Sequence, residues 1–188
     1  MSLLVSALEL YTPEFVKKRV LMQLFQATAA GFEVQVPPLG NLDSKECLAQ
    51  YAQFVQAHAK QRLHDKHGID ELSQRLYRNS MEMVRLLNKW LRLRTIQDVT
   101  AIGRVLYRIL EIDLQGNAQD EVVINHCYFS DFYSADVCRL MSAMDRGLFA
   151  GLSNGGELRF TSRITEGRSC CRAHFCLPHK SASEPKEY

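Results

Sequence analysis

The hydrophobic pattern of this 188-residue chain changes period, and that change limits the fold more than any single motif does. From residue 12 to 103 apolar residues recur at helical spacing. From 104 to 178 they fall in short branched or aromatic runs around one further helical stretch. A helix buries residues three and four apart, whereas a half-buried strand buries every second one. The predicted order is therefore N-terminal helices followed by a β-β-α-β-β unit: an α+β fold with a small antiparallel sheet. One domain is expected over 1–178, with a helical part at 12–103 and a sheet-containing part at 104–178. The remaining 179–188, rich in Lys, Ser, Pro and Glu, reads as a flexible tail.

Local punctuation places the elements. Thr12 before Pro13 and Glu14 reads as an N-cap with proline at the first helical position, and Gly31 as the stop. Pro37-Pro38-Leu39-Gly40 forms a loop. Asp43 and Glu46 make a capping box for a second helix ending near Gly68, and Asp70 caps a third that carries Trp90 and Leu91. Thr95 and Asp98 open a short fourth helix that Gly103 ends. Residues 105–112 and 121–129 read as paired strands about a turn at Gly116-Asn117. Residues 130–150 read as a helix, and 158–164 with 170–177 as a second hairpin closed around Glu166-Gly167.

Composition excludes some function classes. A net charge of +2 gives no electrostatic case for nucleic acid. No apolar run approaches the roughly 20 residues of a membrane helix. The apolar start lacks the basic region and cleavage site of a signal peptide. The expectation is a cytoplasmic protein with no membrane or nucleic-acid partner, whose cysteines are thiols or metal ligands rather than disulfides. Arg75, Arg78, Arg85, Lys89, Arg92 and Arg94 make the helix at 70–94 basic, which reads as a solvated face. Docking of a protein partner, or of a second copy in a homo-oligomer, is the alternative.

Five of the six cysteines lie in the last third, at Cys127, Cys138, Cys170, Cys171 and Cys176, with His126, His174 and His179 among them. Alternation along the last strand puts Cys171, Ala173 and Phe175 on a core face and Cys170, Arg172, His174 and Cys176 on a polar one. Cys127 ends the second strand, pointing away from its neighbour His126. Cys138 and Asp145, seven apart, share roughly one helix face. Two readings stay open: these thiols are packing residues with Asp145 a solvated charge, or they converge at the sheet–helix seam. Cys170-x3-His174 and Cys176-x2-His179 approach zinc-ligand spacing. That makes Cys170, His174 and Cys176 candidate ligands and zinc the candidate metal.

Residues 126–175 resemble the L-2-amino-thiazoline-4-carboxylic acid hydrolase-like family. The resemblance is carried by Cys127, Cys138, Asp145, the run Thr161-Ser162-Arg163-Ile164-Thr165-Glu166-Gly167, and Cys171-Arg172-Ala173-His174-Phe175. Ser142 stands where the family's Cys-x-x-Asp has its cysteine. The resemblance implies a hydrolase that opens a small cyclic C–N/C–S substrate such as a thiazoline carboxylate. Cys127 and Cys171 would be nucleophile or metal-ligand candidates, Cys138 their neighbour and Asp145 a base or orienter. Arg163 or Arg172 would bind the substrate carboxylate. The same order of elements also looks like vinyl-reductase-type domains, which makes the alternative a non-catalytic small-molecule- or metal-binding sensory or interaction domain.

Overall fold

In the computed structural model the described part of the chain runs through helices α1 (Glu14–Phe32), α2 (Ser44–Asp65), α3 (Ile69–Leu91) and α4 (Ile96–Ile109). Strands β1 (Ile112–Gly116) and β2 (Glu121–Cys127) follow, then α5 (Ala135–Ser153), β3 (Glu157–Ser162) and β4 (Cys171–Cys176). The strands form one antiparallel sheet in the order β1-β2-β4-β3, so the α+β arrangement is as expected. The structure describes residues 9–65, 68–91, 93, 95–116 and 120–178. The expected turn residue Asn117, the basic positions Arg92 and Arg94, His179, most of the apolar start and the 179–188 tail lie outside them.

The main departure is at residues 105–109, which are helix rather than strand. Thr95 and Asp98 form the expected reciprocal capping box, but Gly103 does not end the helix it opens. Gly103 lies against the Phe149 ring, 3.3 Å from where a Cβ would sit, so the position serves helix packing rather than a stop. Val99, Ile102, Leu106 and Ile109 are buried at helical spacing, and this tertiary burial overrides the strand preference of the branched residues. At the other end of the helical layer, α1 begins after Pro13, which takes the cap position in place of Thr12. It passes Gly31, where a Cβ would lie 2.6 Å from the Leu76 side chain of α3, and ends at Phe32 before left-handed Glu33. Asp43 and Glu46 exchange the two hydrogen bonds of the predicted box. Asp70 sits inside the first turn of α3 instead of capping it.

The sheet has one dry face. Leu114, Val122, Ile124, Leu158, Cys171, Ala173 and Phe175 point into the core, while Asp113, Arg159, Arg172, His174 and Cys176 face water. The most extensive helix contact is α3 against α5. It is a backbone-to-backbone approach: a Cβ on Gly147 would sit 2.1 Å from the Tyr77 carbonyl oxygen, and one on Gly151 2.4 Å from that of Met81. Buried polar groups of α3 lock it. Ser80 donates to the Met144 carbonyl at 2.6 Å, and the Asn88 amide donates to that of Leu152. Outside this contact α3 is basic and carries Trp90 86% exposed beside Leu86. No helix among the described residues is long and apolar enough to cross a membrane.

A glycine in an exposed helix gains about 1 kcal/mol on changing to alanine. Gly147→Ala should do the reverse, because the new methyl meets rigid backbone. A loss of about 3 kcal/mol is expected, read as a fall in melting temperature of roughly 6–12 °C. Unchanged or raised stability would mean that α3 and α5 do not touch through their backbones.

Candidate functional site

Helix α5 turns a second face toward the sheet. Cys138, Ser142 and Asp145, four and then three residues apart, form one stripe on it. Opposite them lie Cys127 at the end of β2, Cys171 at the start of β4 and Arg163 just past β3. All six line one cavity of about 90 Å³, together with apolar side chains and the rings of Tyr51, Tyr107, Tyr133 and Phe160. The three thiols and the carboxylate singled out in the sequence, together with Arg163, are thus brought together from four elements.

Strict alternation would not have aimed two of these residues inward. On β2, Val122 and Ile124 face the core, so a regular strand would turn His126 in and Cys127 out. The β1–β2 register shifts by one residue: Asp113 pairs with His126 and Leu114 with Ile124, leaving Asn125 unopposed. Both Asn125 and His126 then face water, and Cys127 joins the core side. β3 repeats the device. Phe160 pairs with Ala173 and Ser162 with Arg172, so Thr161 is the extra residue. That shift brings Arg163, whose side chain is only 16% exposed, onto the cavity side. A bulge changes the phase of a strand without ending it.

The cavity is a poor solvent for charge, and its thiols show it. Burial pushes the Cys127 thiol up to about 12, against the pull of the Phe129 backbone N–H. Burial also raises Cys138 and Cys171, and the Asp145 charge raises both further. The Cys171 sulfur accepts the Ile164 N–H at 3.4 Å, which opposes that rise. At neutral pH all three are therefore thiols rather than thiolates.

Asp145 is the unusual group. Burial raises its carboxyl to about 6, partly offset by the Tyr107 hydroxyl, which donates to Oδ1 at 2.5 Å, and by the positive charges of Arg163 and Arg146. It retains accessible surface while surrounded by protein, and that surface faces the cavity. Arg163 is loosely held. Its Nε and a terminal nitrogen each donate to the Ser142 hydroxyl at 3.3 Å, and Glu166 lies 3.7 Å away, itself engaged by Arg139 at 2.9 Å. The guanidinium also lies over the Phe160 ring at 4.9 Å. Ser142 thus helps to seat the arginine while donating to the Cys138 carbonyl at 2.8 Å.

Other expected site residues lie elsewhere. Arg172 is on the wet face of β4, paired with Glu121 at 2.6 Å, and does not reach the cavity. Cys170, His174 and Cys176 are likewise outside it, and His174 and Cys176 are exposed along the strand. Among the described residues no group of three or more His, Cys, Asp or Glu side chains could hold a metal ion. Alternate residues of an extended strand are spread along it at about 7 Å intervals, too far apart for one coordination sphere. The reading of the sequence missed Tyr51, Tyr107, Tyr133 and Phe160. For Tyr107 the signal was present, since apolar spacing of three and four continues from Val99 past Gly103 to Ile109. Comparison with protein-family models and with curated proteins returns no match to this chain.

Two measurements test this electrostatic picture. With a small alkylating reagent at pH 7.5, exposed Cys176 should be labelled first, and Cys127, Cys138 and Cys171 only slowly. Rapid labelling of Cys127 would contradict a raised thiol. The second concerns stability. The native carboxyl of Asp145 titrates near 6 and an unfolded one near 3.9. Between these values the native state holds the extra proton, so stability falls as pH rises, and the loss is complete above about pH 6. Two units correspond to roughly 3 kcal/mol. Asp145→Asn should therefore be more stable than wild type at pH 8 by up to about that amount, with the difference vanishing near pH 4, in urea unfolding at both values.

Proposed function

We propose that the protein hydrolytically opens a small cyclic C–N/C–S compound of the thiazoline carboxylate type in this cavity. One observation carries the reading. Asp145, a carboxylate of raised basicity, faces a confined apolar space shared with three thiols and a loosely partnered arginine. A base that titrates close to the working pH is what proton transfer to and from a reacting group requires. A carboxylate that costs stability also suits a working group better than a structural one.

In this reading Arg163 receives the substrate carboxylate. Asp145 takes a proton from the attacking group as it bonds to the amidine-like ring carbon. Cys127 and Cys171 are the candidate nucleophiles, with Cys138 beside them. Moving a proton from a thiol near 12 to a carboxyl near 6 is uphill by on the order of 8 kcal/mol. That is below a typical catalytic barrier but too costly for a standing thiolate, so the thiol loses its proton during attack. As the sulfur bonds to the ring carbon, one ring C–N or C–S bond breaks and Asp145 gives the proton to the departing nitrogen or sulfur. One water, deprotonated by Asp145, then adds to the same carbon, the carbon–enzyme sulfur bond breaks and the thiol recovers its proton. At about 90 Å³ the space is smaller than the roughly 150 Å³ that takes a benzene ring. Entry of the substrate therefore requires lining side chains to move, and Met141 and Met144 are flexible enough to do so.

A second reading, a non-catalytic small-molecule-binding domain on the same fold, is favoured by the raised thiols and by Ser142 standing where a thiol would serve chemistry. Incubation with 2-amino-thiazoline-4-carboxylate separates the two. The hydrolase should open the ring, Asp145→Asn should lose about 10²- to 10⁴-fold in rate, and Cys127→Ala and Cys171→Ala, made separately, should identify the attacking sulfur. Calorimetric binding without turnover in the wild-type protein would establish the second reading, and neither binding nor turnover across cyclic analogues would overturn both.

A further inference from the structure

We propose that Tyr107 is the positioning residue of this site: its hydroxyl fixes one oxygen of Asp145 and leaves the other directed at the substrate. The inference rests on Asp145 acting as the base. Its foundation is geometric. The Tyr107 hydroxyl donates to Oδ1 at 2.5 Å. Among the described residues this is the one side-chain hydrogen bond made to Asp145, and no cation lies within ion-pair distance of the carboxylate. Rotation of a carboxylate about its terminal torsion is soft, so a single anchor decides where the second oxygen points. Tyr107 is suited to be that anchor. It is 1% exposed, and its ring packs edge-on against Phe149 at 6.1 Å. It reaches Asp145 on α5 from α4, so both ends of the bond are held by helices.

The hydroxyl also biases the protonation of the base. Burial and the Asp145 charge hold Tyr107 far above the usual phenol range, so it donates at every pH of interest. A donor stabilises the ionised carboxylate, and its removal should make Asp145 harder to ionise. The other groups facing Asp145 do not replace it. Tyr51 from α2, Tyr133 from the segment before α5, and the thiols of Cys127, Cys138 and Cys171 are neutral at pH 7. Arg163 and Arg146 act on Asp145 through space without bonding to it. α3 presents only the Ser80 hydroxyl to the cavity, and α1 only Leu24.

Tyr107→Phe, which keeps the ring, tests the assignment. The acid limb of the pH–rate profile on 2-amino-thiazoline-4-carboxylate should move up by about one to two units, the worth of a hydrogen bond to a charged group. The carboxyl carbon resonance of Asp145 should titrate higher by the same amount in the absence of substrate. Phe149→Leu, which loosens the packing of the ring but keeps the hydroxyl, should lower stability and leave both profiles in place. If Tyr107→Phe does not fold, the wild-type protein still answers: the Tyr107 hydroxyl proton should be slow to exchange, with a shift that follows Asp145 ionisation. A carboxyl titration that is unmoved in Tyr107→Phe, or a rate loss equal at all pH, would overturn the inference. A moved titration in a protein that turns over no cyclic substrate would leave the Tyr107–Asp145 bond standing and remove the hydrolase reading instead.

Discussion

Helix α5 lies as close to α3 as it does because Gly147 and Gly151 have no side chains where the two backbones meet. Ser80 and Asn88, buried on α3, accept the consequence by donating to carbonyls that α5 exposes at this contact. Buried amide and hydroxyl groups of this kind are stabilising only when satisfied, so the contact is specific as well as tight. With one side of α5 pinned in this way, its other side has a fixed height and rotation over the sheet. Cys138, Ser142 and Asp145 stand on that other side, and their placement opposite Cys127, Cys171 and Arg163 follows from it.

The same confinement sets the chemistry. The cavity lining is mainly apolar, so charge is costly there, and the thiols resolve the cost by remaining protonated. Asp145 resolves it in part, through Tyr107 and two arginines at a distance, and stays close enough to neutrality to exchange a proton at physiological pH. Arg163, with a ring beneath it and a serine hydroxyl beside it, keeps its charge and meets Glu166 only at 3.7 Å, a carboxylate it shares with Arg139. An anionic ligand would complete it at less desolvation cost than a fresh ion pair would carry.

Much of this arrangement could be read from the amino-acid order, and the failures have physical causes. The period change near residue 104 revealed helices followed by a small sheet, and alternation along β4 sorted buried Cys171 from exposed Arg172, His174 and Cys176. The opposite facing of His126 and Cys127 was also legible. Which of the two faces the core was not, because that depends on an unopposed Asn125 visible only once β1 is paired. Residues 105–109 misled because valine, tyrosine and isoleucine favour strands when half-buried, and here all of the segment but Arg108 is buried on a helix. The mistake hid Tyr107, whose role needs a helix to bring it to α5. The cluster of thiols and histidines suggested zinc through spacing alone, and an extended strand cannot fold such spacing into one coordination sphere.

The unopposed residues on β2 and β3 separate two properties that usually change together. In an ordinary strand, a side chain's face and its neighbours' packing are tied to the same alternation. Here Val122, Ile124 and Leu158 sit before the irregularity and build the core, while Cys127 and Arg163 come after it and serve the cavity. Loss of one residue, at Asn125 or Thr161, would close the irregularity and keep both sides in register: His126 or Ser162 would take the wet side in regular alternation, and Cys127 or Arg163 would still face the cavity. Each bulge thus absorbs one residue of length, so gain or loss of a single codon at these two points alters the bend and twist of the strand while the cavity lining on its far side is kept.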